Sequence, residues 1–225
     1  MNPWINIPLS DYESHMSMGT VGQAQMLSDI FADVLNRYLP KSVAMLGCAG
    51  GNGFDRARRS SATRVVGIDI NPEYVEQAKA RYGRLISNLE LFCGDIQTDE
   101  FTFKPVDLVF AGLVFEYVDA GRVLSRVSHM MNPDGVLVAV LQLPANGIEE
   151  ITPSPYKSLN LLKACMSLVQ PEPFIELAEN HGYCKKVIEM RNSIGGKEFL
   201  IIHFRLKGTE QDDSKFTCAW RYRVG

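Results

Sequence analysis

The chain has 225 residues, 46% of them apolar, enough to fill the core of one large α/β domain. A formal net charge of −3 argues against the broad basic footprint of a nucleic-acid binder. The five cysteines (48, 93, 165, 184 and 218) form no CxxC pair, which removes zinc-ribbon and dithiol-redox readings and fits a reducing compartment.

The N-terminus, MNPWINIPLSDYE, has neither the basic start nor the apolar stretch of a signal peptide, and no run approaches a membrane span. A soluble cytoplasmic protein is therefore expected. Thr20 and Gln23 fit a capping box for a helix whose stripe is Leu27, Ile30, Phe31, Val34, Leu35 and Tyr38, stopped by Pro40. Val43–Leu46 then reads as a strand entering a glycine cluster at Gly47, Gly50, Gly51 and Gly53. The arginines at 56, 58, 59 and 64 read as solvated charge. A second strand, Val65–Ile68, ends on Asp69, 22 residues after the first glycine. A tight glycine turn lets a ligand lie on bare backbone, and a strand-tip acid can accept hydrogen bonds from a ribose diol.

Asn71 caps the next helix with Pro72 at its first position, and Gly83 is expected to close it in a left-handed conformation. Further strands follow at Leu89–Cys93, Val106–Ala111 and Val136–Leu141, and most of the five strands read as continuous apolar runs of the kind buried on both faces. Cys48, Cys93 and Cys165 sit in apolar segments, where a thiol behaves as a small hydrophobe. Asp119 caps a helix with Val123, Leu124, Val127 and Met130–Met131 on one face. In the insertion 144–170, Ser154-Pro155 starts a helix with Leu161, Leu162, Cys165, Leu168 and Val169 on one side. Pro171–His181 is a helix closed by Gly182. Lys185–Arg191 and Glu198–Leu206 form an antiparallel hairpin around Ser193-Ile194-Gly195-Gly196, the second strand having a mixed face with His203 and Arg205. In the tail, Phe216, Cys218, Trp220 and Tyr222 alternate like one more strand or a contact surface.

These elements specify an α/β fold, a doubly wound, seven-stranded, mostly parallel sheet ending in an antiparallel hairpin. The expected division is a cap segment with its helix (1–40), a main domain (41–207) with a lid insertion (144–170), and a tail (208–225). Neither GxGxxG frame of a dinucleotide fingerprint is complete: from Gly47 the third position is Ala49, and from Gly51 the sixth is Arg56.

The ordered series LGCAGGNG, VVGIDINPEYVEQAKARY, LFCGDI, VDLVFAGLVFEYV and MMNPDGVLVAV resembles the class I S-adenosylmethionine-dependent methyltransferases over residues 41–141. The resemblance implies S-adenosylmethionine as cofactor and a Rossmann-like sheet. It puts Gly47, Cys48, Ala49, Gly51 and Gly53 beside the methionine part and ribose. Asp69 would hold the ribose hydroxyls, with Ile70 packing on the adenine. Asp95 would accept from the adenine amine while Ile96 donates from its backbone. Ala111, Gly112 and Leu113 would run near the sulfonium. Two positions depart from the family pattern: Met45 stands where an acid helps hold the cofactor's amino group, and Ala49 where glycine is usual, which is harmless at negative φ.

Methyl transfer needs a positioned acceptor, and a base only where the acceptor is protonated. Glu116 is the candidate base; the alternative is a solvent-exposed side chain near the following helix start. Tyr12, His15 and Tyr117 are candidate acceptor contacts. His129, His181 and His203 show no ligand spacing, and no acidic cluster points to a metal. No Asn-Pro-Pro-Tyr signature is present, which disfavours DNA base amines as acceptors. The expected function is methyl transfer to a small molecule, with no nucleic-acid or membrane partner. The rivals are a nicotinamide-dependent oxidoreductase and a non-catalytic binder of the same cofactor.

Overall fold

The computed structural model describes residues 2–144, 147 and 149–207. The tail 208–225, with its alternating aromatic residues, lies outside the described residues. The elements are α1 (Leu9–Ser17), α2 (Gln23–Tyr38), β1 (Ser42–Leu46), α3 (Phe54–Arg58), β2 (Arg64–Asp69), α4 (Pro72–Tyr82), β3 (Leu89–Cys93), β4 (Val106–Gly112), α5 (Ala120–Met130), β5 (Met131–Gln142), α6 (Pro171–Asn180), β6 (Tyr183–Asn192) and β7 (Glu198–Leu206). No helix among the described residues is long and apolar enough to cross a membrane.

The strands form one sheet in the order β3-β2-β1-β4-β5-β7-β6. The first five strands pair in parallel, while β7 runs antiparallel to both β5 and β6. The four-residue turn Ser193–Gly196 is too short for a crossover, so β6 and β7 must reverse direction. After β1 the chain winds outward through β2 and β3, then returns to β4 on the other side. The β1/β4 boundary is therefore the switch point where a doubly wound sheet opens a crevice.

Alternation explains the continuous apolar runs. Ala44 and Leu46 of β1 face a core shared with α5 and α6, while Val43 and Met45 face one shared with α2 and α3. In β5, Leu137, Ala139 and Leu141 join the first core and Val136, Val138 and Val140 the second. The expected mixed face of β7 is also covered: His203 is buried, and its Nδ1 lies 2.9 Å from the Tyr38 hydroxyl on α2.

Several local expectations need correcting. The capping box at Thr20–Gln23 does not form; Gly22, at φ 62°, precedes α2 and no side chain caps it. Gly83 is not left-handed; at φ −59° its N–H simply continues the α4 ladder to the Lys79 carbonyl. The insertion holds a 3-10 helix, Lys157–Ala164, that buries Leu159 and Leu162, whereas Leu161 faces solvent. Eclipsed i and i+3 positions, not an α stripe, set that face. Cys93 is exposed because β3 is the sheet edge. β5 begins five residues earlier than expected, and its pairing with β4 shifts register between Val106 and Leu108.

One carboxylate ties the amino ends of three strands. Asp107 Oδ2 accepts from Lys41 N (2.9 Å), Ser42 N (2.9 Å) and Ser42 Oγ (3.0 Å), and Oδ1 accepts from Asn132 Nδ2 (2.7 Å). Replacing Asp107 with Ala leaves these donors without their acceptor and should cost about 1–3 kcal/mol in urea unfolding. A loss below about 0.5 kcal/mol would show that water replaces the carboxylate freely.

Candidate functional site

The carboxyl ends of β1, β2, β3 and β4 border an open cleft. Gly47 opens the turn after β1 at φ 62°, and a Cβ there would approach Val114 Cγ2 to 3.1 Å. Glycine thus brings bare backbone to the cleft wall. Ala49 sits at φ 46°, not the negative φ expected from its sequence, and Leu113 at the tip of β4 has φ 58°. Each left-handed L-residue costs about 1–2 kcal/mol, and two of the four described non-glycine residues at positive φ lie at this site.

Asp69 offsets part of that strain. Its Oδ2 accepts from Ala49 N at 2.8 Å and its Oδ1 from Asn71 N at 2.9 Å. Burial pushes its pKa up to about 6, opposed by backbone hydrogen bonds from Asn71, Ala49 and Ile70. A carboxylate offers about four lone-pair sites, so with these three backbone donors roughly one remains for a ligand in the cleft.

Of the twelve expected cofactor contacts, Gly47, Ala49, Asp69, Ile70, Asp95, Ile96, Gly112 and Leu113 line the cleft. Cys48, Gly51, Gly53 and Ala111 do not. Cys48 and Ala111 are buried behind the wall. Gly51 turns against the Tyr82 ring, 2.6 Å from a built Cβ, and Gly53 precedes α3 at φ 91°. These four shape the turn rather than touch the cleft.

Asn71, Trp4 and Tyr74 are additional site residues. The Asn71 side chain accepts from Glu73 N to cap α4 and donates to the carbonyls of Trp4 (2.9 Å) and Ile7 (3.3 Å). It therefore fastens the N-terminal segment over the cleft. Trp4 meets Tyr12 and Tyr117 edge-on, at 5.6 and 5.0 Å, and Tyr12 stacks on Tyr74 at 5.9 Å. Asn71 was legible only as a helix cap. Nothing in the sequence marks Trp4 as part of the roof, because its partners lie in distant segments.

Beside this aromatic roof lies a second, inner chamber. Trp4, Tyr12, Leu113 and Tyr117 line both spaces. All three expected acceptor contacts, Tyr12, His15 and Tyr117, line the inner one. Leu159, Leu162 and Met166 supply an apolar side, while His15, Gln23, Gln142 and Lys197 are buried polar residues on its wall.

Glu116 lines neither space. Its side chain is buried, with Oε1 accepting from Gln142 N at 2.8 Å, and its own carbonyl accepts from Ser167 N at 2.8 Å. It clasps the end of β5 to the insertion, so neither the acceptor-facing nor the solvent-facing expectation describes it. Oε2 has no hydrogen-bond partner among the described residues, and burial pushes the pKa from 4.5 up to about 7. A carboxyl with a raised folded pKa binds more protons folded than unfolded, so its contribution to stability falls as pH rises from about 4.5 through 7. The neutral isostere in Glu116→Gln should flatten that decline in urea titrations between pH 5 and 8. An unchanged slope would show that the side chain ionises freely in the folded protein.

Residues 44–139 match the family described as "Methyltransferase domain". A trans-aconitate 2-methyltransferase of Methylobacterium radiotolerans is 32% identical over 112 residues, covering 48% of this chain and 39% of that protein. The chain thus aligns with well under half the length of the curated relatives it matches. Among solved structures, the magnesium protoporphyrin IX methyltransferase of Synechocystis PCC 6803 with bound SAH superposes with TM-score 0.62 at 15% identity, over 83% of this chain and 84% of that one. The [4+2]-cyclase SpnF superposes with TM-score 0.61 at 15% identity, over 80% of each chain. Fold alone therefore does not fix the reaction. The family match over residues 44–139 and the glycine turn with its strand-tip acids point the same way: this stretch of the chain is similar to the methyltransferase domain family.

Proposed function

We propose that this chain moves a methyl group from S-adenosylmethionine to a small-molecule acceptor, the cofactor lying in the cleft and the acceptor in the inner chamber. One observation carries this: Asp69 and Asp95 are the only charged residues among the described lining of the cleft. Two carboxylates suit a cationic sulfonium nucleoside and repel a pyrophosphate, which needs cations or the N–H groups of a helix start. Gly51 and Gly53 turn away from the cleft, and α3 beyond them has only five residues. A nicotinamide dinucleotide is disfavoured on both counts.

The residues present fit the cofactor. Asp69 would hold the ribose hydroxyls, Ile70 would pack on the adenine, Asp95 would accept from its amine and Ile96 would donate from its backbone. Met45 packs in the core, within 3.2 Å of a Cβ built on Gly53, and does not line the cleft. The cofactor's ammonium then falls to backbone carbonyls of the Gly47–Ala49 turn.

When bound, the cofactor supplies an electrophilic methyl group on a positively charged sulfur. The chain's contribution is positional. The shared wall of Trp4, Tyr12, Leu113 and Tyr117 holds the two spaces edge to edge and excludes water. Orientation of that kind is worth roughly 7–11 kcal/mol in well-aligned systems. No proton transfer is assigned to Glu116, which touches neither space.

S-adenosylhomocysteine at ~100 times its dissociation constant should stabilise by about 2.7 kcal/mol, a rise of roughly 5–10 °C in Tm. NAD and NADP should give none; preference for NAD would overturn the assignment. Asp69→Ala should lose most of the shift. Because hydroxyls donate best to an ionised acceptor, Kd for the cofactor should rise as pH falls through about 6. A pH-independent Kd would remove Asp69 from the ribose site. Release of S-adenosylhomocysteine during turnover separates a transferase from a silent binder.

A further inference from the structure

The inner chamber carries a buried cation with no ion pair among the described residues, although Glu150, which also lines the chamber, and Glu149 act on it through their charge. Lys197 follows the β6–β7 turn, is 3% exposed, and lines the chamber but not the cofactor cleft. Its Nζ donates to one described acceptor, the Glu150 carbonyl at 2.5 Å. An ammonium has three donors, so two are left without a described partner. The carboxylate of Glu149 is held at 3.0 Å by the exposed Lys163 instead.

A second group on the same wall is also unsatisfied. His15 is 6% exposed, and its Nδ1 is buried with no hydrogen-bond partner among the described residues. Burial, and secondarily the charge of Lys197, lower its pKa, so the two side chains lie within electrostatic reach of each other. Burial pulls the Lys197 pKa down to about 8, with Glu150 and Glu149 opposing. The lysine therefore remains mostly protonated at neutral pH. An unpaired buried charge and an unpaired buried imidazole are costly, and an anion placed between them relieves both.

We propose that the acceptor is a small carboxylic acid, held by a carboxylate at Lys197 Nζ and hydrogen-bonded by the His15 imidazole. The Gln23 and Gln142 amides share that wall, while Leu159 and Leu162 cover the acid's apolar body. Lys197 is confined to the inner chamber, so an acid anchored there extends toward Leu113 and Tyr117, the wall common to the cofactor cleft. This assignment rests on the cofactor occupying that cleft, and the test separates the two.

Tm would be measured with S-adenosylhomocysteine alone, then with benzoate, succinate or citrate added, and with benzamide and succinamide as uncharged counterparts. At least one acid should add a few degrees to the shift of the cofactor product, and the amides should add none. Lys197→Met should abolish the increment from the acid and leave the S-adenosylhomocysteine shift intact, and Lys197→Arg should restore part of it. His15→Phe, which leaves the lysine in place, should weaken the same increment and guards against misfolding of the first variant. Amides that match the acids, an acid increment that survives in Lys197→Met, or no increment from any acid overturns the proposal. Absence of the S-adenosylhomocysteine shift in the unaltered protein instead overturns the cofactor assignment beneath it.

Discussion

A single buried carboxylate, Asp69, organises the site. By accepting from Ala49 N it fixes the glycine turn after β1, and by accepting from Asn71 N it fixes the start of α4. Asn71 then passes the constraint onward through its side chain to the carbonyls of Trp4 and Ile7. Floor and roof of the cleft are thus referenced to one strand tip. Without those bonds, the left-handed backbone at Ala49 would lose the contact that holds it there. Burial of the carboxylate is itself unfavourable, and a ligand that donates hydroxyls to it offsets part of that cost.

The two spaces have different origins. The floor and rim of the cofactor cleft come from residues 47–118, inside the stretch that matches the methyltransferase family. The inner chamber draws on residues 4–23 and 142–197, mostly outside it. Ile7, Leu159 and Leu162 form a small core of their own that joins the N-terminal segment to the insertion. The domain match therefore speaks to the cofactor, whereas the acceptor must be read from this chain's own walls. The buried Lys197 and His15 there, facing an apolar strip of Leu159 and Leu162, distinguish the inner chamber from the acidic cleft beside it.

The sheet was legible because its information is local. Runs such as Val43–Leu46 and Val136–Leu141 are apolar at every position, which only a strand covered on both faces requires, and the layers found on either side supply that cover. Asp69 and Asp95 were legible for a similar reason: the tip of a strand is fixed once the strand is, and both line the cleft. Helix ends were less legible. The Asn71 and Asp119 side-chain caps form as expected, whereas the capping box before α2 and the left-handed glycine after α4 gave way to backbone geometry set by how the chain enters and leaves those helices.

The sequence alone determined the order of strands and helices, the glycine turn and the two strand-tip acids, since each follows from residues adjacent in the chain. Only the tertiary structure decided what those tips face. It buried Glu116 as a clasp, closed Trp4 over the cleft, and carried Lys197 from a glycine-rich hairpin turn to the wall that holds His15, 182 positions away in the chain. Contacts of that separation leave no periodic trace, because they are set by where whole layers pack and not by the neighbours of any one residue.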